Sequence, residues 1–211
     1  MIITAVEKRK KFLNALYIDN EFVALIDREV LYIKGIKVGM SIDDEKLYEL
    51  ICESDNKRAK EKALYYLAKR DYSRKELIEK VKRTTSQRAS EFAVDKMEEL
   101  GLLSDESYAQ KYAHDLINLK GFSKKRVESE LRLKGIDRDI ISNVLANIEV
   151  DAFSMIYELI NRKYRNKLSN EKDRRRTIAS LQRMGYRWED IKPSIDEFMS
   201  QEDCEEYIDV L

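Results

Sequence analysis

Three basic runs stand fifty residues apart in this chain: Arg74-Lys75 after Ser73, Lys124-Lys125-Arg126 after Ser123, and Arg174-Arg175-Arg176 after Asp173. Ser and Asp begin helices well, because a side-chain oxygen can accept one of the unpaired N–H groups of the first turn. Cations just after such a cap oppose the helix macrodipole by about 0.3–1 kcal/mol, so helix stability does not favour them there. They suit the capture of phosphate or carboxylate groups, to which N–H dipoles and cationic side chains both contribute. Lys69, Arg70, Lys120, Arg132, Lys134 and Arg183 join them as candidates for partner or nucleic-acid binding. Solvated helix charge is the competing account of all these residues.

Covalent chemistry has little to work with. The chain holds no Walker loop, dinucleotide glycine fingerprint or GxSxG elbow. Its one histidine, His114, has no partnered cysteine or ligand set and is expected on a helix surface. Cys52 and Cys204 stand far apart without a CxxC, which argues against a disulfide or zinc and for a reducing compartment. Asp43 and Asp44 could hold a metal for nuclease chemistry, but they read better as the acidic first turn of a helix, as do Asp105 and Glu106. A binding protein without catalytic residues, metal or cofactor is the economical expectation.

The elements that must position the basic runs are short helices. Tyr108, Tyr112, Leu116 and Ala109, Ala113, Ile117 recur at i, i+4, i+8, two adjacent rows on one helix face between Ser104 and Gly121. A second helix starts at Ser123, turns Val127 and Leu131 inward and stops at Gly135. Subtracting 50 from Ala113, Ser123, Val127 and Leu131 gives Ala63, Ser73, Leu77 and Val81; adding 50 to Ser123, Leu131 and Gly135 gives Asp173, Leu181 and Gly185. Matches of residue class at one offset argue for an internal repeat of three helices. If such units stack in an arc, their basic helix starts line a common edge.

The expected fold is mainly α: three tandem three-helix repeats in an elongated curved array, after a small N-terminal β-containing segment. The boundaries are 1–56 for the leader, 57–103, 104–150 and 151–200 for the repeats, and 201–211 for an acidic tail. In the leader, the strand-like stretches about Asp19-Asn20-Glu21 read as a hairpin within a three-stranded sheet, then a short helix at 27–34 and another at 43–53. Exposed sheet edges need a cover, and both packing on the body and docking of a partner satisfy that. In the first repeat, Ala89, Phe92, Ala93, Met97 and Leu100 are the expected buried row of the third helix. In the third, a helix over 151–168 turns Phe153, Ile156, Leu159 and Ile160 inward, and Arg162 to Arg176 holds eight basic residues against Glu171 and Asp173. Trp188 is expected in the core with Ile191 and Ile195, and Pro193 should kink or restart the helix that carries them.

The run Gly101-Leu102-Leu103-Ser104-Asp105-Glu106-Ser107-Tyr108-Ala109, with Lys120-Gly121 and Glu130-Leu131-Arg132-Leu133-Lys134-Gly135-Ile136, resembles the central signature of the bacterial RecX regulatory proteins. Ala63 to Leu67 with Ser73 to Leu77 looks like that family's first repeat, and Ile178, Leu181, Arg183, Gly185, Tyr186 and Ile191 match the third more weakly. Where Ser104 stands the family often has an acidic residue, which affects a cap alone. The resemblance implies binding to the recombinase RecA along its filament on single-stranded DNA, with inhibition of strand exchange and ATP hydrolysis. A monomer is expected, with weak binding of single-stranded DNA as a secondary activity. The alternative is a helix-turn-helix-like DNA-binding module acting without RecA.

Charge fits either reading. Lys+Arg and Asp+Glu both number 40, yet residues 57–192 hold 32 basic against 22 acidic, while 1–56 hold 8 against 11 and 193–211 none against 7. A basic body attracts polyanions or an acidic protein surface. Apolar runs fall far short of the ~18 residues that span a membrane, and the N-terminus MIITAVEKRKK reverses the order of a secretory signal, so the cytoplasm is the expected location.

Overall fold

The computed structural model describes residues 1–9 and 12–208, with side chains as far as 201. It divides into two compact units, Met1–Ser104 and Asp105–Leu211.

The first unit opens with strands β1 (Ile3–Lys8), β2 (Leu13–Ile18) and β3 (Glu21–Asp27), antiparallel and adjacent in chain order. Asp19 and Asn20 close the β2–β3 hairpin at φ 49° and 71°, left-handed values that short amide and carboxylate side chains tolerate. One sheet face buries Ile3, Leu16, Ile18 and Ile26 against Val30 and Leu31 of α1 (Arg28–Ile33), Ile42, and Leu50 of α2 (Asp44–Leu67). Helix α2 corrects the sequence reading, which broke it into two pieces near residue 55. The segment Glu53-Ser54-Asp55-Asn56 contains neither Gly nor Pro, and buried Ser54 receives the Asp27 N–H on its hydroxyl at 2.8 Å. The junction's polar groups are satisfied without a break.

Helices α3 (Arg74–Val81) and α4 (Gln87–Glu99) complete this unit and bury Leu77, Val81, Ala89, Ala93, Val94 and Met97 against Ala59 and Ala63 of α2. Phe92 and Leu100 lie outside that row, 42% and 58% exposed. The small face of α4 is what allows close approach to the small face of α2, so the bulky ring at 92 turns outward beneath Lys60, whose Nζ sits 4.8 Å from its centre.

The second unit contains α5 (Asp105–Asn118), α6 (Lys124–Leu133) and α7 (Arg138–Ala146) around one apolar cluster. A further cluster is enclosed by α8 (Ala152–Leu159), a π-helical turn Ile160–Tyr164, a 3-10 turn Arg165–Lys167, α9 (Glu171–Arg183) and α10 (Trp188–Ile208). The fifty-residue offset is visible in burial: Leu77, Val127 and Thr177 are all inside, as are Val81, Leu131 and Leu181. Three three-helix repeats follow the sheet. The long helix expected over 151–168 is regular only to Leu159, and Phe153 is half-exposed, stacked on Tyr157. Trp188 is 46% exposed, because it opens α10 beyond the edge of the core that Ile191 and Ile195 enter one turn later. Pro193 neither stops nor restarts α10, since the row Ile191, Ile195, Phe198 stays buried across it. The expected acidic tail continues α10 to Ile208, and its side chains from 202 and residues 209–211 lie outside the described residues.

Two glycines join the second and third repeats. A Cβ at Gly121 would meet Leu159 of α8 at 2.6 Å, and one at Gly185 would meet Ser123 Oγ at 2.3 Å and Arg126 Cβ at 2.8 Å. The Ser123 N–H donates to the Met184 carbonyl at 3.0 Å. The positive end of α6 is thus seated on the carbonyl end of α9, and dipole meets dipole.

Candidate functional site

The three middle helices start with a side-chain cap, and the caps expose a register difference. Ser73 Oγ accepts the Glu76 N–H at 3.2 Å and Ser123 Oγ the Arg126 N–H at 3.3 Å, but α9 is capped by Asn170, whose Oδ1 accepts the Asp173 N–H at 2.8 Å. Asp173, expected to be the cap, is the third residue of the helix. Counted from their buried leucines and terminal glycines, α6 and α9 agree, so α9 has gained one turn at its front. Arg174, Arg175 and Arg176 therefore occupy its second turn, behind Glu171 and Asp173.

The basic runs then separate by position. Each first residue reaches the third helix of its own repeat: Arg74 bonds Asp95 of α4 at 2.5 Å and also Glu98, Lys124 donates to the Leu145 carbonyl of α7 at 3.1 Å, and Arg174 lies 3.9 Å from Met199 Sδ of α10. These cations clamp the repeat. The second residues face water. Lys75 and Lys125 are exposed with no acidic partner among the described residues, and Arg175 meets only Glu171 of its own helix. Third residues pair along their helices, Arg126 with Glu130 at 2.6 Å and Arg176 with Asp173 at 3.1 Å. Half-exposed or exposed pairs of this kind contribute about 0–1 kcal/mol, so they hold geometry more than they stabilise.

The remaining candidates are scattered over several elements. Lys69 donates to the Tyr65 hydroxyl at 2.6 Å, and that bond lowers the pKa of Tyr65 and raises that of Lys69. Arg70 stacks 3.7 Å over Tyr72 and lies 3.4 Å from Glu76. Lys120 sits 5.8 Å from the Phe122 ring centre, Lys134 5.5 Å from that of Tyr112, Arg132 pairs with Glu128, and Arg183 is exposed. Between residues 160 and 172, four cations that the helix-start pattern passes over stand exposed without an acidic partner among the described residues: Arg162, Lys163, Lys167 and Lys172. Their signal was the density of basic residues between 162 and 176.

His114 is on the helix surface, and Asp43 caps α2 by accepting the Lys46 N–H at 2.8 Å. Among the described residues no group of three His, Cys, Asp or Glu is placed to hold a metal, and no helix is long and apolar enough to cross a membrane.

Residues 104–145 match the family model described as RecX, second three-helix domain. Curated relatives named regulatory protein RecX include one from Clostridium perfringens (strain 13 / Type A), 30% identical over 187 residues and covering 85% of both chains. Another, from Clostridioides difficile (strain 630), is 26% identical over 204 residues, 94% of this chain and 96% of the relative. Among solved structures, a crystal structure of regulatory protein RecX superposes with a TM-score of 0.59 at 20% identity, covering 91% of this chain and 98% of the other. RecX from Lactobacillus salivarius gives 0.53 at 24% identity over 68% of this chain and 96% of the other.

Proposed function

Because the chain belongs to the RecX family of regulatory proteins, we propose that it binds the recombinase RecA and its filament on single-stranded DNA, in the cytoplasm and as a monomer, and inhibits recombinase and ATPase activity. Its relatives carry the names of regulators and not of enzymes, and the mechanism suggested is occlusion of filament contacts without turnover. The observation that supports this reading best is the water-facing second cation, Lys75, Lys125 and Arg175, recurring at one register in all three repeats. A filament is a repeating target, and repeated weak contacts on one ligand reinforce one another through effective concentration.

The test is RecA-catalysed ATP hydrolysis on single-stranded DNA, titrated with this protein. Wild type should inhibit, and the triple reversal Lys75→Glu, Lys125→Glu, Arg175→Glu should raise the half-inhibitory concentration tenfold or more while circular dichroism is unchanged. Equal affinity for bare DNA and for the RecA filament would favour the DNA-binding module acting alone, as would a steep log-linear loss of binding with salt on bare DNA.

A further inference from the structure

An open groove of about 780 Å³ lies in the first unit between the start of β2 and α2, and neither Arg74 nor Lys75 lines it. Each wall carries an aromatic ring with a cation beside it. On one side Phe12 is 70% exposed, with the Arg28 guanidinium 5.2 Å from its ring centre. Facing it, Tyr65 is 53% exposed, with the Lys62 and Lys69 ammonium groups 5.7 and 4.2 Å from its ring. Phe12 also takes φ 62°, a left-handed conformation that is unfavourable for a bulky residue. Its carbonyl accepts the Arg28 N–H at 2.9 Å, so the backbone closes the strand end while the ring it carries is left in water, where it serves no core.

The floor between the rings is charged and net acidic, one ammonium against three carboxylates. Lys57 Nζ lies 2.7 Å from Asp27, 2.6 Å from Glu29 and 3.6 Å from Glu61. Burial works against the Lys57 charge, but bonding to Asp27 and Glu29 outweighs it and raises the pKa. Such a floor offers no dry pocket for an apolar anchor from a protein partner. It suits a flat ring with polar edges, carried on a backbone whose negative charges reach the cationic rims.

We propose that this groove binds a nucleotide of single-stranded nucleic acid. The base stacks on Phe12 or Tyr65, its exocyclic amino group donates to the carboxylates of Glu29 or Glu61, and the flanking phosphates meet Arg28, Lys62 and Lys69. The inference deepens the filament reading by giving the strand itself a contact, and rests on that reading for where the strand is presented.

Fluorescence anisotropy of the full chain with labelled oligo(dC), oligo(dT) and an abasic strand of equal length tests it. Oligo(dC) should bind several-fold more tightly than oligo(dT), which lacks the exocyclic amine, and tenfold or more above the abasic strand. Phe12→Ala and Tyr65→Ala should each weaken oligo(dC) binding about 5- to 100-fold without changing the salt slope, Phe12→Tyr should restore it, and Arg28→Ala with Lys62→Ala should flatten the slope. An abasic strand that binds like oligo(dC) would overturn the proposal. So would ring variants that bind the strand normally yet lose RecA inhibition, because the groove would then be a protein-docking site. Tight oligo(dC) binding without any effect on RecA counts against the filament reading and supports the groove.

Discussion

Replacing Gly185 with Ala tests the seat of α6 on α9. The residue has φ 93°, and an added Cβ would stand 2.3 Å from Ser123 Oγ, 2.8 Å from Arg126 Cβ and 3.1 Å from the Arg126 nitrogen. Left-handed backbone costs an L-residue roughly 1–2 kcal/mol. Overpacking against a helix start that is itself fixed by the Ser123 N–H to Met184 carbonyl bond adds about 1–3 kcal/mol. The expected destabilisation of the second unit is therefore about 2–5 kcal/mol. Gly101→Ala is the control: it too follows a helix, at φ 68°, but nothing lies within 4 Å of its added Cβ, so only the backbone cost applies. Urea unfolding followed through the single tryptophan, Trp188, reads the second unit directly, and far-ultraviolet circular dichroism in the same titration reads the Gly101→Ala loss in the first. Ser123→Gly removes the nearest atom while costing the cap only a few tenths of a kcal/mol, and should restore part of the loss in the double variant. If Gly185→Ala costs no more than Gly101→Ala, the interlock is wrong.

Tyr186 is 5% exposed, its hydroxyl has no hydrogen-bond partner among the described residues, and burial pushes its pKa up to about 12. The unfolded chain ionises it near pH 10, so the folded state holds the extra proton between about pH 10 and 12, and stability should fall there by up to ~1.4 kcal/mol per pH unit. Tyr186→Phe should remove that component and be neutral or stabilising at pH 7, as shown by urea midpoints across the alkaline range. Arg74→Ala should cost about 0.5–1.5 kcal/mol in thermal unfolding of the first unit, since its partly exposed pairs with Asp95 and Glu98 join two helices. Lys75→Ala should cost nothing measurable by the same assay.

The repeat was legible because a three-helix unit imposes the same residue class wherever the same buried position recurs, and Leu131, Val81 and Leu181 obey that whatever surrounds them. The hairpin was legible for a local reason, two Asx-type residues where positive φ is needed. What failed depended on partners distant in sequence. Periodicity placed Phe92 and Trp188 on roughly the right helix face but could not say where a core ends. The offset predicted a cap at Asp173, and only the competing Asn170 three residues earlier displaces it. That Arg74 is held by residues 21 and 24 positions away cannot be read from a basic run. Phe12 had no sequence signal at all, since an exposed ring and a buried one look alike until the strand is placed.

These distinctions change what a cation at a helix start means. Arg74, Lys124 and Arg174 oppose their helix dipoles at low cost because each tethers a neighbouring helix, which answers the mismatch without any partner. Backbone N–H groups at the front of α6 are likewise engaged by Ser123 and, at Ser123 itself, by the carbonyl of Met184, so that helix end is no vacant anion site. What remains for an outside anion is side-chain charge that no internal acid absorbs. In the first two repeats that is Lys75 and Lys125 together with Lys69, Arg83, Arg88, Lys120 and Arg138, which are exposed without an acidic partner among the described residues. In the third it is the set about the π-helical turn, Arg162, Lys163, Lys167 and Lys172, with Arg183, Arg187 and Lys192, while Arg175 and Arg176 stay exposed but share their charge with Glu171 and Asp173 of the turn added to α9. A partner that meets all three repeats therefore meets unequal charge, with the largest share in the last.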